Sequence, residues 1–227
     1  MNLTTLEERI DKVVSEDMSG NTPGMSLLLT KGRDVLIRKA YGLANLETRE
    51  KITCENQFVI ASNTKQFTCA AIMILKEQGL LDYDEPIERF FPDFPDYRKY
   101  VTIRDMMTHV SGIQEYFEEN KWLNIPDSAT ADTKRMLEII KGFGDLTFKP
   151  RTQYSYCNSS YVMLGNIVEQ LSGMSFGTFL KKRIFEPLGM KNTLAPDYLD
   201  ERAENLTEGY VKDADGNFVK QDYNMAL

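Results

Sequence analysis

Histidine is the scarcest catalytic residue type in this 227-residue sequence: there is one, His109. A Ser-His-Asp hydrolase, a multi-histidine metal site or a histidine-based acid–base pair must run through His109 or be absent. Cysteine is also scarce. Cys54, Cys69 and Cys157 are odd in number, far apart and without CxxC spacing, which argues against a zinc site or a disulfide framework and predicts reduced thiols. No set of His, Asp and Glu has metal-ligand spacing, and the acidic run Asp82-Tyr83-Asp84-Glu85 reads as a solvated turn. Positive charge is in deficit, with 27 Lys and Arg against 34 Asp and Glu and a net charge of −7. That is the wrong sign for binding nucleic acid through its phosphates. No Lys/Arg cluster flanks an apolar face that would recruit the chain to an anionic membrane. A run of about 18 uninterrupted apolar residues is missing, so no membrane span is expected. The start, Met1-Asn2-Leu3-Thr4, has no basic stretch followed by an apolar one, which predicts a cytoplasmic protein.

What is present is ordinary for a folded domain: 42% hydrophobic and 27% charged residues. A chain of this length buries roughly 70% of its unfolded surface and needs no staples. Residues 4–18 read as an amphipathic helix, with Leu6, Ile10, Val13 and Val14 on one face. Met25–Thr30 and Val35–Tyr41 flank the turn Lys31-Gly32-Arg33-Asp34 and predict a hairpin. The short apolar run Phe58-Val59-Ile60-Ala61 leads into a helix over about 63–77 that is apolar on most sides. Pro86, Pro92 and Pro95 punctuate a stretch holding Phe90, Phe91, Phe94, Tyr97 and Tyr100, which reads as packed core. Thr102 caps a short helix ending near His109, and further helices are expected over about 131–141, 159–171 and 176–185, the last with Ser175 as its N-cap. Tyr210-Val211 and Phe218-Val219 flank Asp213-Ala214-Asp215-Gly216, a second hairpin signal.

Two short segments concentrate the chemistry. Ser62 sits at the mouth of the apolar helix and Lys65 follows three residues later, a spacing that puts both side chains on one face, about 5–6 Å apart at Cβ. A helix N-terminus favours a developing alkoxide and disfavours an ammonium. A neutral lysine beside a serine hydroxyl is a general base for that nucleophile, with no histidine needed. SxxK is a weak pattern alone: 11 serines and 16 lysines give about 0.8 chance matches, and Ser62 as a helix cap with Lys65 in solvent is the plainer alternative. A lysine drawn into so apolar a helix, however, demands a partner. The second segment, Tyr156-Cys157-Asn158, offers a phenol that can relay a proton and a carboxamide that can both donate to and accept from a substrate amide. Asn158 as the N-cap of the next helix is its plainer alternative. A third pattern, Gly173-Met174-Ser175-Phe176-Gly177, matches the GxSxG elbow but lacks the preceding strand and a downstream histidine, so Ser175 reads as a cap. His109, at the end of a short helix, reads as a packed or capping residue.

Taken together, FVIASNTK at 58–65, MMTHVSG at 106–112, QYSYCNSSYVMLGNIVE from 153 and FEPLGM at 185–190 resemble, in this order, the serine β-lactamase and penicillin-binding family, closest to its class C-like branch of D-alanyl-D-alanine carboxypeptidases and esterases. The resemblance spans about residues 6 to 227. It implies an α/β (α+β) fold of the β-lactamase/transpeptidase type, an antiparallel sheet with flanking helices plus an all-helical subdomain. The expected layout is a single domain. Residues 1–61 carry the first helix and hairpin, 62–200 form the helical subdomain with both motifs, and 201–227 form the terminal hairpin. It further implies an acyl-enzyme serine hydrolase acting on a small-molecule or peptide substrate with an amide or ester carbonyl. In that mechanism Ser62 is acylated, Lys65 is its base, Tyr156 shuttles protons and Asn158 contacts substrate, with no metal or cofactor. Relatives often work in the cell envelope. The family's third motif, [KHR]-[ST]-G on a later strand, occurs nowhere in the sequence. Relatives continue into further helices and strands past the position of Leu227, so the expectation includes missing C-terminal strands, half of an oxyanion hole, and self-association through an open sheet edge. The alternative is a catalytically impaired fragment that acts only in binding or assembly.

Overall fold

The structure, a computed structural model, describes residues 3–18, 20–118, 121–122, 133–197 and 203–221. These fall into two compact units, one within Met1–Val59 and Arg202–Asn224, the other within Ile60–Glu201.

In the first unit, helix α1 (Leu3–Asp17) half-buries Leu6, Ile10 and Val14. Val13, grouped with them by sequence, is 65% exposed, because it lies one residue off the i, i+4, i+8 stripe. Strands β1 (Met25–Lys31) and β2 (Asp34–Tyr41) pair antiparallel from Met25↔Tyr41 to Lys31↔Asp34, with an irregularity at Leu29/Thr30. The two-residue turn between them places Gly32 at φ +60°, a conformation glycine adopts without steric cost. Asp11 of α1 accepts from Lys39 Nζ (2.9 and 2.8 Å) and from Tyr41 Oη (2.8 Å), fastening helix to hairpin. The lysine, then the tyrosine, hold the Asp11 carboxyl below the usual carboxylate range. A short ladder unforeseen in the sequence joins β3 (Leu43–Asn45) to β4 (Glu50–Lys51). Ahead of it Gly42, at φ +78°, lies so close to Gly24 that an added Cβ would come 2.7 Å from the Gly24 Cα. The expected terminal hairpin is present as Gly209–Lys212 against Phe218–Gln221. It is tied to the unit by Leu46 N–H donating to Tyr210 Oη at 2.8 Å. All strands pair antiparallel, in separate two-stranded ladders among the described residues.

The second unit is helical and holds the larger core. Helix α2 (Lys65–Glu77) buries Thr68, Ala71, Ile72 and Leu75. It is less uniformly buried than its composition suggests, since Met73 is 50% exposed. Helix α3 (Ile103–Met107) starts at Thr102, whose hydroxyl accepts from Asp105 N–H while the Asp105 carboxylate accepts from Thr102 N–H, a complete capping box. Helices α4 (Thr133–Gly142) and α5 (Asn158–Ser172) follow. α5 is the centre of the core: Met163, Leu164, Ile167 and Val168 are fully buried, at the i, i+1, i+4, i+5 spacing of an inward stripe. Gly173, at φ +67°, closes it with a left-handed cap. Phe90, Phe91, Phe94 and Tyr97 join this core, whereas Tyr100 is half exposed. Helix α6 (Phe176–Leu180) runs on into a π-helical turn, Lys181–Phe185, completing the expected span. Ser175 does occupy the cap position of α6, yet its side chain caps nothing. Its hydroxyl donates to Asp197 Oδ2 (2.5 Å), and it is Asp197 Oδ1 that accepts the Gly177 N–H (2.8 Å). The acidic turn at 82–85 is solvated, with Asp82 on Lys76 and Asp84 on Arg104.

Candidate active site

Neither Ser62 nor Lys65 is consumed by helix capping. A 3-10 turn, Ala61–Thr64, leads into α2, and the cap positions are Ile60 and Thr64, neither with a side-chain cap bond. The alternative of Ser62 as a helix cap does not hold. Directly before it, Ala61 sits at φ +44°, a left-handed conformation that costs a non-glycine residue roughly 1–2 kcal/mol. Strain of this kind gathers at functional sites. Ser62 is exposed and Lys65 half-buried. Lys65 Nζ donates to Ser62 Oγ at 3.2 Å and to Asn158 Oδ1 at 2.6 Å. The partner demanded by a lysine in an apolar helix thus comes from the second motif, 93 residues away in sequence.

Asn158 is free for this contact because it does not cap α5. The N-cap is Cys157, whose sulfur accepts from Ser160 N–H at 3.4 Å. Cys157 is buried and donates its thiol proton to Ile113 O (3.3 Å); burial pushes that thiol up, so it stays protonated and packed. Two residues upstream of α5 support its first turn. The Glu115 carboxylate accepts the Asn158 N–H, and His109 Nδ1 accepts the Cys157 N–H at 3.1 Å.

Tyr156 meets the lysine differently from what a proton relay requires. Its ring face, not its hydroxyl, is turned to Lys65, with Nζ 4.6 Å from the centroid. Among the described residues the Tyr156 hydroxyl makes no hydrogen bond to Ser62 or Lys65. A second aromatic face, Tyr161, lies 5.2 Å from the same Nζ. Its hydroxyl donates to Met107 O (2.8 Å) and lies 3.2 Å from Cys69 Sγ. His109 completes the layer. It follows α3 at φ +59°, and its ring stacks on Tyr156 (centroids 4.6 Å apart, planes at 28°) and lies tilted against Tyr161 (5.1 Å, 33°). Burial first, and the Lys65 charge second, hold this histidine below its ordinary 6.5. Glu115, Tyr161 and the stacking face of His109 escaped sequence reasoning. As segments, MMTHVSG held His109 and QYSYCNSSYVMLGNIVE held Tyr161, but neither singled the residue out.

The β-lactamase family model matches residues 10–225. The chain belongs to the β-lactamase family. Penicillin-binding protein 4* of Bacillus subtilis is 34% identical over 199 residues, covering 83% of this chain and 42% of that protein. A D-aminopeptidase of Brucella anthropi is 31% identical over 177 residues, 77% of this chain and 33% of the other. Among solved structures, the octameric penicillin-binding protein homologue from Pyrococcus abyssi superposes with a TM-score of 0.76 at 31% identity, over 98% of this chain and 51% of that one. The fold is the β-lactamase/transpeptidase fold of this family. This β-lactamase-family chain spans about two-fifths of the Bacillus subtilis relative and a third of the aminopeptidase. Among the described residues, no group of three or more His, Cys, Asp or Glu could hold a metal ion. Nor is any helix among them long and apolar enough to cross a membrane.

Proposed function

We propose that this chain carries the acylation centre of a serine hydrolase. Ser62 is the nucleophile, Lys65 its general base, Tyr156 a proton shuttle and Asn158 a substrate-contacting amide. The observation that carries the reading is the single lysine amine within 3.2 Å of Ser62 Oγ and 2.6 Å of Asn158 Oδ1, which draws both motifs to one atom. With that amine neutral, the Ser62 hydroxyl donates to Nζ in place of the reverse. Oγ attacks the carbonyl carbon, and the proton passes to Nζ as the tetrahedral intermediate forms. The Ser62 backbone N–H and the start of α2 stabilise the developing oxyanion. Collapse expels the amine or alcohol, which takes its proton from Lys65 with the Tyr156 phenol as the shuttle. Water then releases the acyl group. The substrate class is an amide or ester carbonyl, and the similarity to a D-aminopeptidase favours D-amino-acyl amides among them.

A fluorophosphonate or fluorescent penicillin tests this. Covalent labelling lost in Ser62→Ala supports it, and folded wild-type protein that takes up neither probe rules it out. A second reading, an assembly module without turnover, draws on the octameric Pyrococcus abyssi homologue. Among the described residues β1 and β2 form a ladder of two strands, the kind of unit that a partner strand can extend. Self-association without labelling favours this second reading.

A further inference from the structure

The one histidine is stacked on the proposed proton shuttle and bonded to the backbone beside it. The Cys157 N–H donates to His109 Nδ1 at 3.1 Å, the Ser155 N–H donates to His109 O at 3.0 Å, and the imidazole lies flat on the Tyr156 ring at 4.6 Å. Tyr156 and its two flanking residues are thus gripped from one side chain and one carbonyl. We propose that His109 is a positioning residue for the Tyr156–Asn158 segment, and that it holds Tyr156 and Asn158 against Lys65 only as the neutral imidazole with its proton on Nε2. The inference rests on the acylation reading of Ser62.

The chemistry is one of donor and acceptor count. A backbone N–H needs an acceptor, and Nδ1 is one only while unprotonated; the imidazolium is a donor at both nitrogens. Protonation sets two donors face to face and adds a cation beside Lys65. The groups set against the ring are the aromatic rings of Tyr154, Tyr156 and Tyr161, the Cys157 N–H and the charge of Lys65 on α2, with Glu115 one residue further on, at the Asn158 N–H. Glu115 alone among them would attract an imidazolium, and its carboxylate is already engaged by the α5 N-terminus. Burial and Lys65 both act to keep the ring neutral.

The test uses the fact that His109 is the only histidine, so its ring nitrogens give unassisted NMR assignments. Side-chain nitrogen shifts report the tautomer and its titration on the wild-type protein. Fluorophosphonate labelling rates at Ser62 are then followed from about pH 5 to 8, the window in which histidine titrates, for wild type, His109→Asn and His109→Ala. Asparagine tolerates the left-handed backbone and keeps an acceptor near the Nδ1 position without titrating. The Nε2–H tautomer is expected, with a wild-type rate that falls on the acid side at the NMR midpoint. His109→Asn, which keeps the acceptor but loses the stacked ring, should label at neutral pH between wild type and His109→Ala and lose that acid limb, and His109→Ala should label about tenfold more slowly, the scale of one net hydrogen bond. An Nδ1–H tautomer, or superimposable pH profiles for wild type and His109→Asn, overturns the proposal. An Nε2–H imidazole in a wild-type protein that never labels overturns the acylation reading and leaves the grip on Cys157 standing.

Discussion

Replacing Asn158 with Asp tests whether Lys65 works as the base. In the wild-type protein the neutral Asn158 Oδ1 accepts from Nζ at 2.6 Å, and Lys65 is half-buried against the Tyr156 and Tyr161 rings. A carboxylate at that position turns the hydrogen bond into an ion pair. For a partly exposed pair this is worth about 1 kcal/mol, and at about 1.4 kcal/mol per tenfold a lysine held that much more tightly takes the Ser62 proton roughly fivefold more slowly. The same carboxylate lies beside Glu115, which accepts the residue 158 N–H, and like charges there offset part of the gain in stability. The expected outcome is a fold whose stability changes by less than about 1 kcal/mol and a labelling rate near neutral pH about fivefold lower. Raising the salt concentration should recover part of that rate, because ions screen a partly exposed ion pair. Asn158→Ala labels slowly for a different reason, the loss of a positioning contact, and should not recover. Fluorophosphonate labelling timed on gels, at low and high salt, separates the cases. An Asn158→Asp protein labelled at the wild-type rate in low salt, or one whose deficit is untouched by salt, would refute the role of Lys65 as the base.

Three further outcomes follow from the packing. Leu164→Ala, at a fully buried position at the centre of α5, should cost about 2–5 kcal/mol in urea unfolding; a loss under about 1 kcal/mol would remove α5 from the heart of the core. Asp197→Ala strips the acceptor from the first turn of α6, where Asp197 takes the Gly177 N–H, and should lower stability by about 0.5–2 kcal/mol, whereas Ser175→Ala, which removes no cap, should cost less. The acid side of the stability curve depends on His109. Its folded value lies below the ordinary 6.5, so between those two pH values the unfolded chain binds a proton that the native state refuses. Stability therefore declines as pH falls from about 6.5 toward the lower folded value and then levels off. Thermal melts of His109→Asn should lack that segment of the decline, and an unchanged curve would contradict it.

Much of the fold was legible because its signals are local. The hairpin at Met25–Tyr41 rests on alternation around a glycine turn, and Thr102 with Asp105 forms a cap within three residues. The Gly173 stop to α5 is likewise written in one position. What escaped was long-range. Val13 belongs to the apolar set of α1 by composition but faces solvent. The β3–β4 ladder lies just past the close approach of Gly42 to Gly24, a contact that no local pattern announces. Ser175 looks like a cap, but the acceptor that performs the task is Asp197, 20 residues beyond the Gly177 N–H it holds. The site divides in the same way. Ser62 and Lys65 are neighbours on a helix turn and could be paired from spacing alone.

By itself the sequence determined the helix that presents Ser62 and Lys65, the place of Tyr156-Cys157-Asn158 just before another helix, and the restriction that one histidine sets on the chemistry. These follow from period, spacing and residue type, which act over a few residues. Tertiary structure decided which oxygen satisfies Lys65, that Cys157 in place of Asn158 caps α5, and that Tyr156 offers its ring and not its hydroxyl. It also made His109 and Glu115 part of the site. Each of those outcomes is a competition among donors and acceptors brought together from distant parts of the chain. Packing in the α2–α5 core, where Asn158 meets Lys65 across 93 residues, settles that competition.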